Sequence, residues 1–453
     1  MQPESYRQRL AEIVGAENVA WDPEHLRARG WEGPLPQAVV HPPGPEQVVE
    51  VIKLACAERL KVSPAGALTK QRMGGVSRQI DLVLSLDRLN RVTDYEPADL
   101  TVTVQAGLPI RELDAALRAQ GQMLPLDAPF AAEATVGGVL ATNGSGARRL
   151  RYGTSRDMLL GVRFVTAEGK LVKSGGKVVK NVAGYDMGKM LLGSFGTLGV
   201  ITEVTFKVFP VLPCSMTLLL GFPTAPQALQ ARHRILNSPF APQALDMVDA
   251  AAGALAGEPV LSAAPFTLLV AMAGPEPAIE RACRELPSLL RPDGWEKHSE
   301  LTGDAEQNLW KKIQELTPAV LRAHPEAAVV KASVLLSRIG DLLEQARQAA
   351  SRNGLTLATL ARAGTGVVYC YLLPQPKTNG VSQAERTAKA CEALLSETDR
   401  LGGRAVVEWA PPAAKEMTNL WGPLRDDFPV MQRLKEQFDP QAILNPGRFY
   451  GGI

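Results

Sequence analysis

The five cysteines of this 453-residue chain, Cys56, Cys214, Cys283, Cys370 and Cys391, are odd in number and nowhere spaced as CxxC. That spacing excludes a disulfide framework and supplies no zinc or iron–sulfur ligand set, so buried thiols in a reducing compartment are expected. Charge of one sign is lacking too. Against 47 acidic residues stand 49 basic ones, a formal net charge of +2, which gives no electrostatic footprint for nucleic acid or an anionic membrane. No run of about twenty apolar residues occurs, and no apolar stretch follows a basic start. The expectation is a cytoplasmic protein without direct membrane insertion, one that reaches a membrane only through partners. The five histidines fall in loops or polar stretches, and none suggests a metal site. A dinucleotide fingerprint of the GxGxxG type is also missing, which disfavours a Rossmann domain.

Glycine is what the chain has instead, in three clusters. The first is PAGALTKQRMGG, residues 64–75; the second is ATVGGVLATNGSGARRLRYGT, residues 134–154; the third is GSFGTLGVIT, residues 193–202. Glycine supplies turns with positive φ and lets backbone approach a bulky anion, and hydroxyl and amide side chains add donors. Gly137, Gly138, Gly144 and Gly146, beside Thr142, Asn143 and Ser145, are therefore read as a pyrophosphate cradle.

Around these clusters the first 212 residues read as mixed α and β. Strand-like AVVHPP precedes a helical pattern over residues 45–60, then come KVSPAG, DLVLSL and TVTVQAG, and then a helix PIRELDAALRAQG with a stop at Gly121. VFPVLP, residues 208–213, breaks the pattern, because its prolines can continue neither a helix nor a central strand. Beyond it MTLLLGF, FTLLVAMAG, AAVVKASVLL and GVVYCYLL predict four strands separated by helices, an antiparallel sheet with helices on one face. The expected domains are residues 1–212, a second domain over 213–414, and a C-terminal return over 415–453.

ATVGG, ATNGSG, RYGT, KNVAGYD, GSFGTLGVITEV and DPQAILNPGRF stand together in an order that resembles the vanillyl-alcohol oxidase and PCMH-type flavoprotein superfamily. Within it the chain resembles the FAD-binding subunits of bacterial glycolate oxidases. The resemblance implies an α+β fold: a PCMH-type FAD-binding domain of two α/β subdomains, with an inserted α+β cap built on an antiparallel sheet. It implies FAD as cofactor, held by Pro64, Ala65, Gly66, Ala67, Leu68, Thr69, Thr135, Gly137, Gly138, Thr142, Asn143, Ser145, Gly146, Tyr152, Gly153, Gly196, Gly199 and Ile201. Relatives with covalent flavin carry a histidine near the first loop, and this chain has none there, which points to noncovalent FAD. In that loop Ala65 replaces an arginine and Leu68 a glycine, which puts the backbone in question if position 68 needs positive φ.

Catalytic subunits of the resembling glycolate and D-lactate dehydrogenases carry HxGDGNxH and GGxxxxEHGxGxxK. Here the corresponding stretches are RAGTGVVY, with Arg362 and Tyr369 at the histidine positions, and GGRAVVEWAPPAAK, with Trp409 at the third. Thr365 and Val367 stand for the aspartate and asparagine, and Glu408 remains. Indole is only a donor and cannot take a proton from an α-hydroxyl, so no catalytic residue is assigned and no metal is expected. The implied role is an accessory or electron-transferring subunit of a complex oxidising glycolate to glyoxylate, beside a catalytic FAD-binding subunit and an iron–sulfur subunit, with Trp409 and Trp421 as candidates for the partner contact. Two alternatives stay open: a stand-alone FAD-dependent dehydrogenase of another hydroxy acid or alcohol, with Glu408, Tyr369 or Tyr371 as base, and a flavin-free scaffold.

Overall fold

Short apolar strands alternate with amphipathic helices through the first half, and the sheets form where those strands can pair with both faces covered. The computed structural model describes residues 3–77, 79–178, 184–376 and 380–453. The chain divides into two units, Met1–Ser145 with Thr154–Val211 and Leu424–Ile453, and Gly146–Gly153 with Leu212–Pro423. The second unit thus begins and ends at different residues from those the sequence suggested, and it takes in a short piece of the glycine-rich second cluster.

In the first unit, parallel strands Ala38–Val40, Leu82–Ser85 and Val62–Ala65, with Val19–Ala20 antiparallel at one edge, make a four-stranded sheet. Helix Pro45–Glu58 opens on Pro45, whose missing N–H costs nothing in the first turn, and buries Val48, Val51, Ile52, Leu54 and Ala55. A second sheet is antiparallel throughout, in the order Val92–Glu96, Thr101–Gln105, Val200–Lys207, Leu159–Val165, Leu171–Gly175. The helix after TVTVQAG runs Ile110–Arg118, and Gly121 beyond it takes φ +65°.

The second unit is built on one eight-stranded antiparallel sheet, ordered Lys297–Leu301, Cys214–Phe222, Phe266–Gly274, Ala244–Asp249, Thr356–Arg362, Val367–Leu373, Ala328–Ser333, Arg404–Trp409. One face carries Met216, Leu218, Leu220, Leu245, Val270, Val330 and Cys370 against Ala231 and Ile235, Ala282 and Leu286, Leu342 and Ala346, and Cys391 and Leu394 of four helices. The other face is not bare, which corrects the expectation of helices on one face only. Side chains one residue out of step with that core point there. Glu306 of helix Gly303–Gln314 accepts from Ser215 at 2.5 Å and Thr217 at 2.8 Å, while Trp310 donates to Thr217 at 2.8 Å. On helix Leu316–Ala323, Thr317 hydrogen-bonds the Tyr371 hydroxyl at 3.0 Å.

Candidate functional site

Parts of all three glycine clusters meet in one cleft of the first unit, about 750 Å³ counted out to its open mouth. Pro64, Ala65, Gly66, Ala67, Leu68, Thr69, Thr135, Gly137, Gly138, Thr142, Gly196, Gly199 and Ile201 line it, all of them predicted from the sequence. Lys70, Gln71, Leu86, Ala106, Ala141, Phe195 and Arg448 line it too and were not predicted. Asn143, at φ 48°, and buried Ser145 do not line it. Gly146, Tyr152 and Gly153 fall in the second unit, where neighbouring Arg151 donates to Ala273 O at 2.8 Å. Most of the KNVAGYD motif lies outside the described residues; of the rest, Asp186 caps the helix Met187–Leu191 and Tyr185 is exposed.

The glycines prove to have different jobs. A Cβ on Gly66 would sit 2.0 Å from Thr135 Oγ1, one on Gly137 would press on Ala106 at 2.9 Å, and one on Gly199 would strike the Phe164 ring at 2.8 Å. These three are needed by the protein's own packing. Gly138 is the exception: a Cβ there meets only Thr135 Oγ1, at 3.3 Å, and otherwise projects into open space beside the cleft. Thr135 itself caps the helix Val136–Ala141, accepting from the Gly138 N–H.

Leu68 takes φ +61°, so the position does need the left-handed backbone that glycine usually supplies. The left-handed region costs an L-residue about 1–2 kcal/mol. Its side chain packs on a cluster of Leu26, Trp31, Val39, Ile80 and Val83 that also contains Ala65. The two departures from the family pattern therefore share one apolar cluster, whose burial offsets the strain.

Chemically, the cleft offers backbone donors and positive charge, the features that can receive a dianion. Among the described residues, the backbone N–H groups of Gly66, Ala67, Leu68 and Thr69 donate to no protein atom. The lining includes two buried cations and no carboxylate. Lys70 Nζ donates to Thr142 Oγ1 at 2.9 Å. Arg448 donates to Lys70 O at 2.8 Å, Gln71 O at 3.2 Å and Met73 O at 3.3 Å. Burial pulls the Arg448 guanidinium down to about 10, well above neutral pH, so it stays charged. A diphosphate fits both the N–H row and the charge. Neither cation was picked out from the sequence, although TKQRMGG and NPGRF lay in plain view, because nothing local shows that residues so far apart share a cleft.

The second unit holds the positions where the resembling catalytic subunits keep their histidines. Arg362 is buried at the end of its strand and ion-paired with buried Asp246 on the neighbouring strand. Lys331 is paired with Glu408 at 3.2 Å and stands 5.7 Å from the Tyr369 ring centroid, with Arg362 at 5.9 Å from the same ring. These side chains form a row across five adjacent strands, Asp246, Arg362, Tyr369, Lys331, Glu408, on the face opposite the main core. Burial holds the Tyr371 phenol well above its ordinary range, so it stays protonated. Among the described residues no group of three or more His, Cys, Asp or Glu could hold a metal ion. Trp409 is 2% exposed, and Trp421 is half-buried against the core.

Comparison with known proteins agrees with this anatomy. Residues 36–175 match the FAD binding domain family and residues 214–449 the C-terminal domain of FAD linked oxidases. A D-2-hydroxyglutarate dehydrogenase of Xanthomonas citri pv. viticola is 31% identical across 97% of this chain and 96% of its own length. Glycolate oxidase subunit GlcD of Bacillus subtilis is 26% identical across 92% and 89%. Among solved structures, p-cresol methylhydroxylase with substrate bound superimposes with a TM-score of 0.79 at 16% identity, across 98% of this chain and 96% of that one. With a dianion cleft in its first unit and the expected antiparallel sheet in its second, the chain belongs to the FAD-linked oxidases and carries their PCMH-type fold.

Proposed function

We propose that this chain is an FAD-binding subunit of a 2-hydroxy-acid oxidoreductase complex acting on glycolate, and that a different subunit performs the oxidation of substrate. One observation carries the reading: the buried pair Arg362–Asp246 and the half-buried pair Lys331–Glu408 occupy the row where a proton acceptor and metal ligands would have to stand. A guanidinium cannot act as a base at neutral pH, and a carboxylate already paired with an ammonium cannot ligate a cation without taking that ammonium's counter-charge away. The catalytic FAD-binding subunit and an iron–sulfur subunit would be its partners, and glyoxylate the product. FAD, when bound, supplies a two-electron acceptor that can pass electrons onward. The chain's own part is to bind it. The loop N–H groups, Lys70 and Arg448 would hold the diphosphate, and Gly138 would leave it room. No histidine lines the cleft, which favours a noncovalent attachment. The protein would lie in the cytoplasm and reach a membrane through its partners; among the described residues no helix is long and apolar enough to cross one.

The test is co-expression with a flavoprotein bearing an intact HxGDGNxH motif and a cysteine-rich iron–sulfur protein. A co-purifying assembly with glycolate-dependent dye reduction is expected, the isolated chain being yellow, inactive toward glycolate and D-lactate, and bleached of flavin by acid precipitation. Efficient turnover by the single chain, or full dye reduction by the other two without it, would end the accessory reading. A colourless protein that takes up no FAD would instead favour a scaffold.

A further inference from the structure

The C-terminal segment is wound into both glycine loops of the cleft. Val62 N donates to Ile443 O at 2.7 Å and Asn445 N to Val62 O at 2.9 Å, so this stretch lies alongside the strand that leads into the first loop. Asn445 Nδ2 donates to Phe195 O at 2.7 Å and Lys435 Nζ to Thr197 O at 2.8 Å, which secures the third cluster. Phe449 stacks on Phe195 with ring centroids 5.6 Å apart. Arg448 then secures the first loop through the carbonyls of Lys70, Gln71 and Met73, and Gly75 N donates back to Arg448 O at 2.9 Å.

Arg448 is buried and makes no ion pair among the described residues; Glu32, itself paired with Arg72 at 3.0 Å, acts on it from farther off. A buried cation is costly unless something answers its charge. Three carbonyls and Gln71 Oε1 accept from it on the loop side, and the Phe195 ring centroid lies 6.0 Å from it. The remaining side is the cleft, whose lining offers a second cation and no acid.

We propose that Arg448 is a positioning residue for the cofactor diphosphate: it fixes the carbonyl side of the 70–73 turn and, with Lys70, balances a dianion in the cleft, so that diphosphate binding and docking of residues 435–449 reinforce each other. The inference rests on the reading that the cleft takes FAD. Linkage makes it reciprocal: whatever affinity the docked segment adds to the diphosphate, the diphosphate returns as stability of the docked segment.

The full chain, stripped of flavin, is titrated with FAD and with ADP, which carries the diphosphate without the flavin, at several salt concentrations. Arg448→Gln is expected to weaken both by about tenfold or more and to flatten the salt dependence of ADP binding; Arg448→Lys restores the salt dependence and part of the affinity. In the wild-type chain, ADP is expected to slow hydrogen exchange in residues 435–449. Equal ADP affinity in wild type and Arg448→Gln overturns the proposal, as does a loss of affinity with an unchanged salt dependence, which would mark a merely structural role. Should Arg448→Gln fail to fold, the wild-type exchange experiment still decides, because no ADP-dependent protection of 435–449 refutes the coupling. A wild-type chain that binds neither FAD nor ADP removes the cofactor reading itself, and is told apart from failure of Arg448 alone by that first titration.

Discussion

Replacing Arg362 by methionine isolates the energetic meaning of the charged row in the second unit. The side chain is 6% exposed and its partner Asp246 1%, and the Arg362 Nε has no hydrogen-bond partner among the described residues, so the Asp246 carboxylate is its main compensation. Methionine keeps most of the length and apolar stem but takes from the buried Asp246 carboxylate the guanidinium it is paired with. Breaking a buried pair in this way costs about 3–5 kcal/mol. For a unit of about two hundred residues each kcal/mol moves the midpoint by about 2–4 °C, so a fall of roughly 6–20 °C is expected. Calorimetry of the full chain at matched flavin content reads it directly. The double variant Arg362→Met with Asp246→Leu is the control, since removing both charges relieves desolvation on both sides and is expected to recover part of the lost stability. A single variant that costs less than about 1 kcal/mol, or a double variant as unstable as the single, would show that the pair is not the buried, mutually dependent unit described above.

Gly138→Val is expected to leave the fold intact, because a side chain there projects into open space, while FAD affinity falls by about tenfold or more through lost room; Gly137→Ala, which presses on Ala106 at 2.9 Å, is expected to lower thermal stability instead, and the two effects appearing the other way round would show the cleft to be misread. Glu306 sits under the sheet with its carboxyl pushed upward by burial, which outweighs the hydrogen bonds from Ser215 and Thr217. The folded state therefore holds that proton more tightly than the unfolded chain, so wild type gains stability as pH falls from neutral toward the ordinary carboxylate value; Glu306→Gln should lose this part of the pH dependence and compare best with wild type near neutral pH, as melts at pH 5 and 7 would show.

Sequence patterning revealed the order of elements in the first unit because its strands are apolar runs punctuated by glycine and proline. Half of the large sheet was harder to see. Ala244–Asp249 carries Asp246 in its middle, a residue that reads as loop until its partner across the sheet is known, and Thr356–Arg362 is alanine-rich with an arginine at its end. Lys297–Leu301 is a polar edge strand, and Arg404–Trp409 is closed by a bulge against Val329 and Val330. In the cleft, glycines and hydroxyls announced themselves by local chemistry. Lys70 and Arg448 did not, since their meaning comes only from the proximity that folding creates between the first loop and the C-terminal segment. Leu68 gave a true warning: the position does require positive φ, and what the sequence could not show was the apolar cluster that makes leucine tolerable there.

The first unit closes only with Leu424–Ile453, after the chain has run through the whole of Leu212–Pro423. On the ribosome, at about 5–20 residues per second, the loops at residues 64–75 and 193–199 would then wait on the order of tens of seconds for Asn445 and Arg448 to be made. Until that moment the loop carbonyls of the nascent chain lack the side-chain donors of Lys435, Asn445 and Arg448. On the proposal made for Arg448, a nascent chain that stops before Leu424 is expected to carry no flavin.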